Sequence, residues 1–248
     1  MFLLRQFSRE IWKSLGMSAD VRAKYLKGLF LELVPKFELS LYLDVGAGLG
    51  YNSLALGENA NEILAMDLRF PQNNVLKNAD KVHMVVADAD FLPFRDGLFD
   101  VVSLFSVIEH VPDQRRSLED VMRVLKLGGY LVVQVPNKFF PIELHSGLPF
   151  VFFVPLRVRG AIFKRFGHEG LGRINIPSVK KLEKMILQID PGSKICVRKV
   201  VYPSVVVWSK LRLFYKIALK TGVLNALPLG YLLIVKKGSC SLDVHLEG

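Results

Sequence analysis

The sequence predicts an α/β protein built on a doubly wound sheet of seven strands. Three observations carry that prediction. Residues 41–50 read LYLDVGAGLG: a short apolar run, the acid Asp44, glycines at 46, 48 and 50, then residues able to start a helix. Strand, glycine turn and helix in succession form the opening unit of a nucleotide-binding sheet. Further on, apolar runs of strand length alternate with helical stretches, which is the element order of a wound sheet. The first three runs are closed by Asp44, Asp67 and Asp88. In an open sheet such ends face the ligand crevice.

Residues 1–38 read as helical. Segment 19–34 carries Val21, Tyr25, Leu29 and Leu33 at helical spacing with Lys and Arg between them, a shorter segment spans 9–15, and Pro35 closes the second helix. This part either caps the sheet or forms a lid. In the glycine turn the missing Cβ atoms permit a sharp bend and a close ligand approach. Tyr51 stands where a dinucleotide-binding G-x-G-x-x-G pattern has its third glycine.

Residues 62–66 are the second strand. Asp67 at its end is placed to accept from both hydroxyls of a ribose, a role that suits an acceptor-only carboxylate. Residues 81–87 are the third strand, followed by Asp88. In the segment FLPF that follows, Phe91 to Phe94 pack either a ligand edge or the core, and Asp90, Arg95 and Asp96 read as turn residues. Residues 98–105 form an almost wholly apolar fourth strand, as burial on both faces requires. A helix capped by Asp113 runs to Leu125, and a glycine turn at 126–129 closes it. The fifth strand is 130–135. A helix at 178–189, a strand at 194–201, a basic amphipathic helix at 205–220 and a strand at 230–236 complete the order, with a frayed tail after them.

Composition narrows the class. Half of the 248 residues are hydrophobic, enough for a sizeable core. Cys196 and Cys240 show neither metal-ligand nor disulfide spacing, which points to a reducing, cytoplasmic setting. The apolar run at the start is too short for a signal peptide, and no stretch reaches the roughly 20 residues of a spanning helix. Residues 151–220 hold 15 Lys/Arg against 3 Asp/Glu, so the basicity is concentrated late. It is either a solvated face or a surface for an anionic partner: a membrane, nucleic acid or an acidic substrate.

Taken together, DVGAGLG, AMDLR, ADADFLPF, FDVVSLFSVIEHVPD and LKLGGYLVVQVPN resemble the class I S-adenosylmethionine (SAM) methyltransferases of the small-molecule type over residues 39–137. That family has a Rossmann-like sheet. The resemblance implies SAM as cofactor. Gly46, Ala47 and Gly48 would line its methionine part, and Asp44 would support the turn and the amino group, directly or through water. Asp67 would take the ribose, with Leu68 against the adenine. Asp88 and Ala89 would read the adenine edge, and Phe105 would close the fourth-strand side. On this reading residues 1–38 are a helical cap and 39–137 the SAM-binding core. Residues 138–176 are an insertion covering the acceptor pocket, 177–238 the rest of the same domain and 239–248 the tail.

The implied chemistry is displacement at the methyl carbon, in which alignment of the attacking atom is the main contribution. Where a general base is needed, Glu109, His110 and His145 are the candidates. His110 and His145 each have a plain structural reading as well. The absence of G-x-x-x-x-G-K-[ST] excludes a P-loop, and no histidine pair has metal-ligand spacing, so no metal is expected. The aromatic, proline-rich stretch 138–173 predicts a small apolar or aromatic acceptor, a lipid or a quinone-like precursor. RNA methylation through the basic region, and SAM binding without catalysis, are the alternatives.

Overall fold

The computed structural model describes residues 19–34, 39–140, 148, 150–167, 174–201, 220–222 and 227–238. Its strands are β1 (Leu41–Val45), β2 (Glu62–Asp67), β3 (Val82–Val86), β4 (Phe99–Phe105), β5 (Leu125–Pro136), β6 (Lys194–Val200) and β7 (Gly230–Lys236). Its α-helices are α1 (Ala19–Leu33), α2 (Tyr51–Leu56), α3 (Gln114–Val124), α4 (Leu156–Arg165) and α5 (Val179–Ile189). The strands make a single sheet in the order β3-β2-β1-β4-β5-β7-β6. The first five pair in parallel, and β7 runs antiparallel between β5 and β6. Strand order reverses between β1 and β4, which opens the ligand crevice at their carboxyl ends.

Alternation along the strands builds both faces. Leu43, Val45, Val102, Leu104, Leu131 and Val133 pack on one side with Leu118, Val121 and Met122 of α3 and Leu182 and Ile186 of α5. Their neighbours Tyr42, Val101, Val132, Leu232 and Ile234 pack on the other with Leu26 and Phe30 of α1. Both faces are covered, so the central strands are mostly apolar, with Asp44, Ser103 and Gln134 as buried polar exceptions. The Asp113 carboxylate caps α3 by accepting from the N–H groups of Arg115 and Arg116. Ser178 caps α5 through Lys181 N–H.

Helix α1 forms over the segment read as helical: Ala23, Leu26 and Phe30 are buried, Tyr25, Leu29 and Leu33 pack half-buried beside them, and Val21 is exposed. Phe30 reaches the edge of the Tyr130 ring, and that contact fixes the rotation of the helix. Residues 126–129 do not form a turn closing the helix. The helix ends at Val124 and β5 begins at Leu125 beside Phe99, then bulges before Tyr130 meets Val101. Lys237 holds this bulge: its N–H donates to the Gly129 carbonyl, and its ammonium donates to the carbonyls of Met122 and Leu125.

Of the stretch after β5, a short turn at Val151–Phe153 and helix α4 share a small apolar cluster of Leu148, Val151 and Phe163. The expected helices at 9–15 and 205–220 (residues 220–222 apart) and the tail at 239–248 lie outside the described residues. Among the described residues no helix is long and apolar enough to cross a membrane.

Candidate cofactor and active site

A cavity of about 570 Å³ lies at the carboxyl ends of the strands. Gly46 follows β1 and forms one wall. Asp67 and Leu68 enter from the end of β2, and Ala87, Asp88 and Ala89 from the end of β3. Ser106, Val107 and His110 follow β4, and Val111 and Pro112 close the rim. The volume is that of a small-molecule site.

The glycine turn is built for close approach. Gly46 has φ +72°, and its N–H and that of Ala47 both donate to the Met66 carbonyl, at 2.7 and 2.9 Å. A Cβ on Gly46 would lie 2.3 Å from Val107 Cγ2, so the turn packs directly against the segment after β4. Gly48 has φ +54° and donates its N–H to Asp67 Oδ2 at 2.8 Å. The other oxygen of Asp67 accepts from Arg69 N–H at 3.0 Å. A carboxylate offers about four acceptor positions, so Asp67 keeps capacity for a ligand.

Asp44 sits beneath the glycine turn. It is 1 % exposed and is not among the lining residues. Its two oxygens accept from the hydroxyls of Ser53 and Ser103, each at 2.6 Å, and Ser103 also shares a hydrogen bond with the Tyr42 hydroxyl. Burial raises the carboxyl to about 6, the two serine hydrogen bonds oppose that rise, and the charge of Asp67 adds to it. Asp44 therefore ties β1 to β4 and to α2 beneath the turn, and makes no direct contact with the cavity.

Phe105 is corrected: it packs with the core on the α1 side, and Ser106 and Val107 take the lining position. Ser106 holds φ +56°, uncommon for a residue with a side chain, and donates its hydroxyl to Gln134 Oε1 at 2.6 Å. Ala47 packs with Ala65 and Leu76 rather than lining the cavity. Glu109 is fully buried and is not a lining residue. His110 is exposed and lines the cavity. His145 lies outside the described residues.

The FLPF segment divides between its two readings. Leu92 is buried, Phe94 meets the Phe99 ring edge-on at 5.1 Å, and Phe91 is exposed beneath the Arg116 guanidinium. Arg123 of α3 holds the segment, donating to the carbonyls of Leu92 and Phe94 and to Asp96 and Asp120. Asp90 and Arg123, not read as contributors to the site, thus brace the wall that carries Asp88: Asp90 accepts from the Ser117 hydroxyl. Val107, Val111 and Pro112 were also not anticipated. Their one sequence signal was position, directly after a strand that ends at the crevice.

The charge of the lining discriminates between ligands. It carries two carboxylates, Asp67 and Asp88, and among the described lining residues no lysine or arginine. Such a site suits a nucleoside joined to a positive centre and is unsuited to a pyrophosphate. The glycine cradle, the volume and the carboxylates fit S-adenosylmethionine.

Comparison with known proteins agrees with this geometry. A family model described as a methyltransferase domain matches residues 43–133. The chain is 37% identical over 95 residues to a demethylmenaquinone methyltransferase of Clavibacter sepedonicus, covering 37% of this chain and 39% of that protein. It is 31% identical over 146 residues to the demethylmenaquinone methyltransferase of Thermobifida fusca, covering 52% and 61%. The chain thus spans less than two thirds of the length of these curated relatives. In fold it is similar to an S-adenosylmethionine-dependent methyltransferase from Mesorhizobium loti, with a TM-score of 0.58 at 16% identity over 86% of this chain and 98% of that one.

Proposed function

Given that residues 43–133 of this chain belong to the class I S-adenosylmethionine-dependent methyltransferases, we propose that the protein methylates a small apolar or aromatic acceptor of quinone type. The observation that carries this reading is a cavity holding two carboxylates and, among the described lining residues, no lysine or arginine on one side, and an apolar rim of Val107, Val111 and Pro112 on the other. The two curated relatives, named for demethylmenaquinone, support the same acceptor class.

The cofactor supplies an electrophilic methyl group attached to a positively charged sulfur. The protein's own residues would do the rest. Asp67 would accept from the ribose hydroxyls, and Asp88 from the adenine amino group beside Ala89. Gly46 would let the methionine part lie against the backbone, with Asp44 stiffening the turn through Ser53. Val107 and Pro112 would exclude water and orient the acceptor, which is where most of the rate enhancement would arise. His110, at the cavity wall, would take the proton released from the acceptor. An apolar acceptor of this kind resides in a membrane. The basic excess of residues 151–220 supports cytoplasmic action with peripheral contact to an anionic surface.

The test is transfer of labelled methyl from S-adenosylmethionine to demethylmenaquinone reduced with dithionite to its nucleophilic quinol, with total RNA as the competing acceptor. Label in the organic extract is expected. Label only in RNA, or S-adenosylhomocysteine binding with transfer to neither, would overturn the reading.

A further inference from the structure

The segment after β5, helix α4 and the stretch before α5 line a further depression, of about 210 Å³. Its polar lining is Lys138, Arg159 and Asn175, and its apolar lining includes Phe139, Phe152 and Phe153. Arg159 is unusual. Its Nε is buried without a hydrogen-bond partner. Among the described residues Nη1 reaches the Ile174 carbonyl, at 3.4 Å, and the guanidinium lies 4.7 Å above the Phe152 ring. Among the described residues no carboxylate pairs with it. Burial lowers its pKa. Lys138 likewise rests on a ring, 5.0 Å above Phe139, with no acid beside it among the described residues. Asn175 uses its N–H on the Glu109 carbonyl and its own carbonyl on Gln114, so its side-chain amide is the polar group it has left to offer.

A partly buried guanidinium without an anion is costly, and proteins seldom keep one without a use. Two cations and an amide around one depression match the charge of a phosphate monoester, close to −2 at neutral pH. Beside them Phe139, Phe150 and Phe153 are 57%, 60% and 58% exposed, and the Phe153 ring meets those of Phe139 and Phe150 at centroid distances of 6.4 and 6.1 Å. Exposed apolar surface of that kind marks a contact site.

We propose that Arg159, Lys138 and Asn175 form a binding site for a phosphate monoester whose organic part lies on Phe139 and Phe153. This site is separate from the cofactor cavity and does not depend on methyl transfer. Arg159 is the anchor, because a fork of donors can hold two phosphate oxygens at once, and Lys138 adds a point charge.

The experiment is calorimetric titration of the full chain with inorganic phosphate, hexyl phosphate and hexanoate, with S-adenosylhomocysteine titrated in parallel. Hexyl phosphate should bind saturably, 1:1, at least tenfold more tightly than either inorganic phosphate or hexanoate. Arg159→Leu should weaken that binding at least tenfold while the ligand-free melting temperature holds or rises and S-adenosylhomocysteine affinity is unchanged. A residue kept only for structure would give the opposite melting shift. Arg157→Gln, an exposed cation on the same helix, should bind hexyl phosphate as the parent does. If Arg159→Leu does not fold, Lys138→Gln should show the same loss. Recruitment to phosphatidate vesicles over phosphatidylcholine vesicles would identify the source as a lipid headgroup, and tight hexyl phosphate binding without recruitment a soluble phosphoester. No saturable binding, equal affinity for hexanoate or for inorganic phosphate, or an equal loss in Arg157→Gln would overturn the site.

Discussion

The backbone N–H of Gly48 donates to the carboxylate of Asp67 at 2.8 Å, so the turn after β1 and the end of β2 act as one unit. Asp67 both shapes the cradle and offers itself to the ligand. Asp67→Ala should therefore weaken S-adenosylhomocysteine binding by roughly 1.5–3 kcal/mol, the worth of a hydrogen bond to a charged group. Calorimetry measures this directly, and an unchanged affinity would remove Asp67 from the ribose site.

Gly46 is constrained twice, by φ +72° and by Val107 Cγ2 at 2.3 Å from the position of a Cβ. Gly46→Ala should cost roughly 1–3 kcal/mol in urea unfolding, from overpacking and backbone strain together. In the double variant with Val107→Ala the packing part should be recovered and the backbone part should remain. A double-mutant cycle reads the difference as a coupling energy, and additive losses would show that the clash is relieved elsewhere.

Arg123 links α3 to the segment after β3 through three acceptors, the Leu92 and Phe94 carbonyls and Asp96, and donates also to Asp120 on its own helix. Lysine has the charge but not the fork, so it can satisfy only part of this set. Arg123→Lys should lower stability by about 1–2 kcal/mol and weaken cofactor binding several-fold through loosening of the wall that carries Asp88. Chemical denaturation and titration of the same sample separate the two effects.

His110 lines the cavity whereas Glu109 is fully buried. On the proposed reading His110→Ala should leave S-adenosylhomocysteine affinity intact and lower kcat with the quinone acceptor about 10²-fold, the scale of a lost general base. A fall in cofactor affinity with kcat unchanged would instead make His110 a wall of the pocket.

The strands were legible because period-two patterning and buried apolar runs leave a strong local signal. β7 appears at residues 230–236, as read. Residues 19–34 carry two apolar stripes at helical spacing, and the edge contact of Phe30 with Tyr130 goes with the one centred on Ala23, Leu26 and Phe30. What failed was decided at a distance. The glycines at 128 and 129 read as a helix stop, yet Lys237 draws them into a bulged β5. In the site, the acids at the ends of β2 and β3 were visible one by one. The burial of Asp44 under two serines was not, since Ser103 lies 59 residues away in sequence. Arg159 carried no signal among many basic residues, because its distinction is the lack of a partner around Nε.

The Asp44 cluster makes stability depend on pH in a direction opposite to that of an ordinary paired carboxylate. The carboxyl titrates near 3.8 in the unfolded chain and at about 6 in the fold, because burial disfavours its charge more than Ser53 and Ser103 support it. Between those values the folded state holds a proton that the unfolded chain has lost. The contribution of this group is then greatest below about pH 4 and falls as pH rises through 6. The difference corresponds to about 3 kcal/mol. Asp44→Asn keeps the shape and removes the titration, so its stability relative to the parent should improve steadily from pH 4 to pH 7. Ser103→Ala, by removing a donor that favours the charged form, should move the transition to higher pH and cost about 1–3 kcal/mol for the polar group left unsatisfied. Urea unfolding of the three proteins across that range is the measurement. Parallel curves for the parent and Asp44→Asn would show that the buried carboxyl does not titrate there.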